Sequence, residues 1–195
     1  MKNLKVNPIA KGLIFDLDGT LIDSMPMHWA GWQAAFRKYG SEIEHDFFFS
    51  HAGKASHEIA QILIDKYQTP TTAEAIVDEK QKYVYAHLDE VAVIRPVVKV
   101  VEDNFGRIPM AVGTGSDTAR AVRMLTNAGL IDKFVAIVSA DDVQNHKPHP
   151  DTFLRCAQLM GVEPTECEVF EDAEPGLQAA KVGGMIATDV RPYYE

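Results

Sequence analysis

Two hydrophobic rhythms divide the chain. Short apolar runs that stop at polar turns recur at GLIFDL (from Gly12), IPMAVGTGSD (from Ile108), KFVAIVSADD (from Lys133), ECEVFEDAEPG (from Glu166) and MIATDV (from Met185). Runs this short, bounded by turn residues, predict buried strands. Helical spacing lies between them: about 97–105, then TARAVRMLTNAGL closed by Gly129, 151–160 closed by Gly161, and AEPGLQAAKVGG. Such alternation predicts a mostly parallel sheet covered by helices on both faces.

The alternation breaks once, between Asp23 and about Arg95. Asp23-Ser24 reads as a helix start, with Pro26 at an early helical position. MHWAGWQAAFRKY brings Trp29, Trp32 and Phe36 near one face, and Gly40 ends the run. IAQILIDKY and TTAEAIVDEKQKYVYAHL are amphipathic, the second opening on a Thr-Thr-x-Glu cap pattern. No strand is expected in 41–93. The expected fold is therefore α/β: a three-layer Rossmann-like core from 1–24 and 95–195, with an inserted α-helical cap over 25–94.

Composition narrows the function. The 195 residues suffice for one such core with a modest insertion. A formal net charge of -9 lacks the basic face that nucleic acid needs and suits anionic membranes poorly. Neither partner is expected. Cys156 and Cys167 form no CxxC, so neither a zinc site nor a redox pair is expected, and a reducing cytoplasm is the simpler reading. MKNLKVNPIAKG has no long apolar region, so no signal peptide is read there. No run approaches the ~20 apolar residues of a membrane span. A monomer is expected, with a dimer as the alternative.

The chemistry sits where apolar runs end. Open parallel sheets bind ligands at the carboxyl ends of their strands. Asp16-x-Asp18-Gly19-Thr20, Thr114-Gly115-Ser116, Lys147-Pro148 and Glu171-Asp172 all fall at such ends or in the loops after them. If the sheet forms, Asp16 and Asp18 face Asp172, and acids so close together need a cation. Oxygen-only ligands suit a hard ion such as Mg2+. Lys147 and the Thr114 hydroxyl add donors that suit an oxyanion, most simply phosphate. Gly19 and Gly115 let backbone N–H groups approach that anion. The group reads as a metal-assisted phosphoryl-transfer site with a carboxylate nucleophile.

FDLDGTLIDS, AVGTGS, NHKPHPDTF and VFEDAEPGLQAAKVGG, in that order, resemble the haloacid dehalogenase superfamily of phosphotransferases. The closer likeness is to its β-phosphoglucomutase-like phosphatases and mutases, from about Lys11 to the end. The resemblance implies strand order 5-4-1-2-3, Asp16 as nucleophile and Asp18 as acid, then base. It implies that Thr114 and Lys147 hold the phosphoryl group, with backbone groups of Gly115 and Leu17 touching it. Mg2+ would be held by the Asp16 carboxylate, the Asp18 carbonyl and Asp172, with Glu171 contributing directly or through water. Members that displace halide lack an acid two positions after the nucleophile, so Asp18 favours an oxygen leaving group.

Specificity is less legible. His28 and Trp32, four apart, share a helix face. His28 is a candidate substrate contact, and Trp32 is expected to pack. Lys54 is a candidate for a sugar or second anionic group. Ser116 is a candidate contact, but Ser116 and Asp117 also suit a helix start. His146 and His149 flank Lys147 as loop residues. KASHE stands where a mutase of this group would carry an arginine near Ser56, and Asp-Thr follows GTGS where a mutase offers an amide. Both departures favour water as acceptor. The expected protein is a Mg2+-dependent phosphatase of a small organic phosphate, with a phosphosugar mutase second and a non-catalytic phospho-ligand sensor third.

Overall fold

The computed structural model describes residues 3–51 and 56–194. The chain divides into two compact units, Met1–Ser24 with Val91–Glu195, and Met25–Glu90.

In the first unit, β1 (Gly12–Phe15) lies at the centre of a five-stranded parallel sheet. On one side stand β4 (Met110–Gly113) and β5 (Ala136–Val138); on the other, β6 (Cys167–Glu171) and β7 (Ile186–Asp189). The order β5-β4-β1-β6-β7 is the expected 5-4-1-2-3 read from the opposite edge. Ile14, Ala111, Val138 and Val169 meet Phe153, Cys156 and Ala157 of α7 (Asp151–Met160) and Ala179 and Ala180 of α8 (Glu174–Val182) in one apolar cluster. The alternate residues use the other face, where Phe15 stacks on Phe170 with centroids 4.8 Å apart. Helix α5 (Arg95–Asn104) begins on Pro96, and α6 (Thr118–Asn127) begins on Asp117, whose carboxylate accepts from the Arg120 N–H. Pro96 has no N–H to leave unsatisfied, and Asp117 satisfies one, which is why each helix starts there.

The second unit is helical: α1 (Met25–Lys38), α2 (His45–Phe49), α3 (Ser56–Tyr67) and α4 (Ala73–Ala86). Trp32, Phe36, Phe48, Leu63 and Ile76 form its core. Trp32 packs as expected. Thr72 caps α4, its hydroxyl accepting from Ala75 N–H. One expectation fails: Ala92–Val93 form β3, antiparallel to β2 (Ile22–Asp23). Two residues are too few to show a period, and the pairing partner lies on the far side of the helical insert. That ladder groups 91–94 with the sheet unit, whereas the sequence pattern placed them with the helices.

Among the described residues no helix is long and apolar enough to cross a membrane. Cys156 and Cys167 are both buried free thiols.

Candidate active site

Strand register assembles the site. Phe15 pairs with Phe170 and with Val112, so the next residue, Asp16, stands beside Glu171 and Gly113 at the carboxyl edge. The Asp16 N–H donates to the Phe170 carbonyl at 3.0 Å, which locks this placement. Thr114 follows β4 directly, and its N–H donates to Val138 O at 2.9 Å. Parallel strands must all end on the same edge, so residues more than a hundred positions apart become neighbours.

Lys147 occupies the centre. Its ammonium donates to Asp16 Oδ1 at 2.6 Å and to Glu171 Oε2 at 2.7 Å, and lies 4.6 Å from the Phe153 ring centroid. Burial alone would lower its pKa, but the Asp16 and Glu171 charges outweigh burial and hold it raised. His146 and His149 beside it are exposed loop residues.

Asp16, Glu171 and Asp172 each place an oxygen within 4.8 Å of the others. Among the described residues the ammonium that meets this cluster is that of Lys147, one positive charge beside three carboxylates. Burial first, then the Glu171 charge, pushes Asp16 up to about 7. Burial first, then Asp16, pushes Asp172 up to about 6. Both shifts mark a place where a cation would be welcome, and the all-carboxylate donor set suits Mg2+.

Glu171 lies in this acidic cluster and also has other partners. Its Oε2 accepts from Lys147, and its Oε1 accepts from the N–H groups of Asp172 (3.2 Å) and Ala173 (2.9 Å). Both oxygens therefore hold the lysine and the start of α8 as well as facing the cluster. Gly176 makes this possible, since a Cβ there would lie 1.9 Å from Glu171 Oε2.

Asp172 leans on the first loop. Thr20 Oγ1 donates to its Oδ1 at 2.9 Å, and a Cβ on Gly19 would lie 2.4 Å from its Oδ2. Gly19 also has φ +86°, a left-handed conformation. Gly19→Ala is expected to cost about 1–2 kcal/mol from the backbone alone and to push the Asp172 carboxylate aside. Urea unfolding and the magnesium response would read the two effects separately.

Asp18 is turned to different partners. Ser116 Oγ donates to its Oδ2 at 2.5 Å and Arg120 NH2 to its Oδ1 at 2.6 Å. Ser116, expected at the substrate, thus has its hydroxyl engaged by Asp18. The Ser116 N–H donates to Thr114 Oγ1 at 3.0 Å, which leaves the Thr114 O–H to donate. Gly115 is exposed with open space around it. His28 lies half-buried on α1 in the helical unit. Lys54 lies outside the described residues.

Sequence reasoning missed Arg120 and Tyr194. Arg120 had a signal: it falls on the buried face of α6 with Ala121, Met124 and Leu125, where a charge needs a reason. Tyr194 had none; its hydroxyl donates to the Gly19 carbonyl, joining the end of the described chain to the first loop.

The strand order and the acids at its carboxyl edge define the class first: a Rossmann-like α/β enzyme core of the haloacid dehalogenase kind. The chain belongs to the haloacid dehalogenase-like hydrolases, whose family profile matches residues 13–190. It is 46% identical over 180 residues to a fructose-1-phosphate phosphatase of Escherichia coli, covering 92% of this chain and 96% of that protein. It is 32% identical over 176 residues to hexitol phosphatase A of the same organism, covering 89% and 80%. Among solved structures it resembles a β-phosphoglucomutase of Clostridium difficile, with TM-score 0.73 and 26% identity over 92% of this chain and 84% of that one.

Proposed function

We propose that the protein is a Mg2+-dependent phosphatase that hydrolyses a sugar phosphate through an aspartyl phosphate on Asp16. The observation that carries this reading is the buried Asp16 carboxylate, held at 2.6 Å by the half-buried Lys147 beside two further acids. The similarity to phosphatases of phosphorylated sugars and hexitols supports the substrate class.

A carboxylate oxygen of Asp16 attacks phosphorus, and the bond from phosphorus to the ester oxygen breaks. Asp18 gives that oxygen a proton and the alcohol leaves. Asp18 then takes a proton from water, whose oxygen attacks the same phosphorus and frees Asp16 and inorganic phosphate. Lys147, the Thr114 hydroxyl and backbone N–H groups at Gly115 and Leu17 hold the phosphoryl oxygens. The Asp16 and Asp172 carboxylates and the Asp18 carbonyl would hold Mg2+, with Glu171 beside them. Bound there, the ion offsets the charge of the acids and of the developing transition state. The helical unit would serve as the cap, with His28 and Lys54 as its candidate substrate contacts.

The test is phosphate release from fructose 1-phosphate, glucose 6-phosphate, mannose 6-phosphate and sorbitol 6-phosphate, with magnesium or with chelator. Release that needs magnesium supports the reading. The likeness to a β-phosphoglucomutase makes isomerisation without phosphate release, primed by a sugar bisphosphate, the result that would replace it.

Metal affinity should depend on pH in a fixed direction. Asp16 and Asp172 shed their protons near 7 and 6, and a cation binds the ionised forms. Magnesium is expected to raise the melting temperature strongly at pH 8 and little at pH 5. An equal rise at both would show that these two carboxylates are not its ligands.

A further inference from the structure

Asp18 is gripped on both carboxylate oxygens, and one of the two grips is a buried arginine. Arg120 NH2 lies 2.6 Å from Asp18 Oδ1 and Ser116 Oγ lies 2.5 Å from Oδ2. The Arg120 side chain is only 10% exposed. Its backbone is fixed independently. The Arg120 N–H donates to the Asp117 cap at 2.9 Å, and the preceding Thr118 donates through both N–H and hydroxyl to Asp141 Oδ2 at 2.9 Å. The guanidinium is therefore carried on a helix anchored at its first turn, whereas Asp18 sits on the loop after β1.

We infer that Arg120 is a positioning residue for Asp18: it fixes the side-chain position from which the second aspartate exchanges its proton with the leaving oxygen and with water. The inference rests on the function proposed above, in which Asp18 is that acid and base. An aspartate has few staggered wells, and one donor is a weak choice between them. Two donors on different oxygens select one. Arginine suits the task because its guanidinium keeps its protons throughout, so it holds the carboxylate without entering the proton transfer. A serine alone would leave the carboxylate free to turn about that single bond.

The reaction supplies a readout that a merely structural ion pair would not move. A sugar alkoxide must be protonated as it leaves; p-nitrophenolate need not be. Asp18 placement therefore matters for leaving-group release from the first and little for the second. The experiment is single-turnover leaving-group release, enzyme in excess, with p-nitrophenyl phosphate and with the fastest hexose phosphate of the panel above. It compares wild type, Arg120→Met, Arg120→Lys and Ser116→Ala.

Arg120→Met is expected to slow alcohol release about 10–100-fold, part of the full worth of a general acid. Steady-state KM should stay within about threefold, and nitrophenolate release should fall far less than alcohol release. Arg120→Lys should recover part of the loss, because an ammonium restores the charge without the planar fork. Should Arg120→Met fail to fold, Arg120→Lys and Ser116→Ala carry the same comparison at smaller amplitude. Equal slowing with both substrates, or wild-type rates with both, overturns the inference. If wild type releases neither leaving group, or Asp16→Asn releases both as fast as wild type, the proposed function itself falls and this inference with it. That result is distinct from a variant effect that is merely absent.

Discussion

Asp16→Asn is expected to lower sugar-phosphate turnover by on the order of 10⁴-fold or more, the scale on which loss of a nucleophile is felt. The same change should not weaken the fold. The Asp16 pKa is raised to about 7 from an ordinary 3.8, burial being the main cause and Glu171 the next. Between those values the folded chain holds a proton that the unfolded chain has lost. Wild-type stability in the absence of cations therefore falls as pH rises from about 4 to about 7, and the full cost is present above 7. Asparagine carries no charge and no such cost. The cation-free variant should melt at pH 8 no lower than wild type. A large activity loss with an unchanged or higher melting temperature assigns Asp16 to chemistry. Residual turnover near the wild-type level would move the nucleophile elsewhere.

Lys147→Ala is expected to damage both stability and chemistry. The ammonium bridges Asp16 and Glu171 at 2.6 and 2.7 Å, and Glu171 is almost fully buried. Removing one partner of a buried ion pair costs about 3–5 kcal/mol, since the remaining charge stays desolvated. Here two carboxylates lose their cation. Asp16 can escape by keeping its proton, because its pKa, already raised to about 7, rises further without the ammonium. The cost should therefore be small at pH 5 and grow towards pH 8, which urea denaturation at the two values would show. A cost equal at both would mean that the side chain acts by packing on Phe153 and not by charge. Turnover should fall by about 10²–10³-fold, as for loss of one donor to a developing oxyanion.

Asp16 was visible in the sequence because it ends an apolar run, and Lys147 because it lies in the polar loop after a strand. Asp16 closes GLIF, and Glu171-Asp172 close CEVF. Their convergence needed only the inference that the strands are parallel. How Glu171 shares its oxygens was not visible: Oε2 accepts from Lys147 and Oε1 from the amides at the start of α8, and only coordinates show that division. Ser116 and Asp117 were both legible as the start of α6; Asp117 makes the cap, and the Ser116 hydroxyl goes to Asp18. β3 was invisible for another reason: a two-residue strand has no period, and it exists only through its ladder with Ile22–Asp23.

What the sequence determined by itself was the alternation of strands and helices, the helical insert and the polar residues at strand ends on which the proposed phosphoryl chemistry rests. Hydrophobic period and capping are local properties, written within a dozen residues and read without knowledge of the rest of the chain. What only the tertiary structure decided was which side chain meets which. Register set Asp16 beside Glu171, the placement of α6 gave Asp18 to Arg120, and the chain after β7 brought Tyr194 to Gly19. Such pairings depend on long-range packing, where a shift of one residue along a strand or a rotation of a helix exchanges one partner for another. No local pattern encodes that choice.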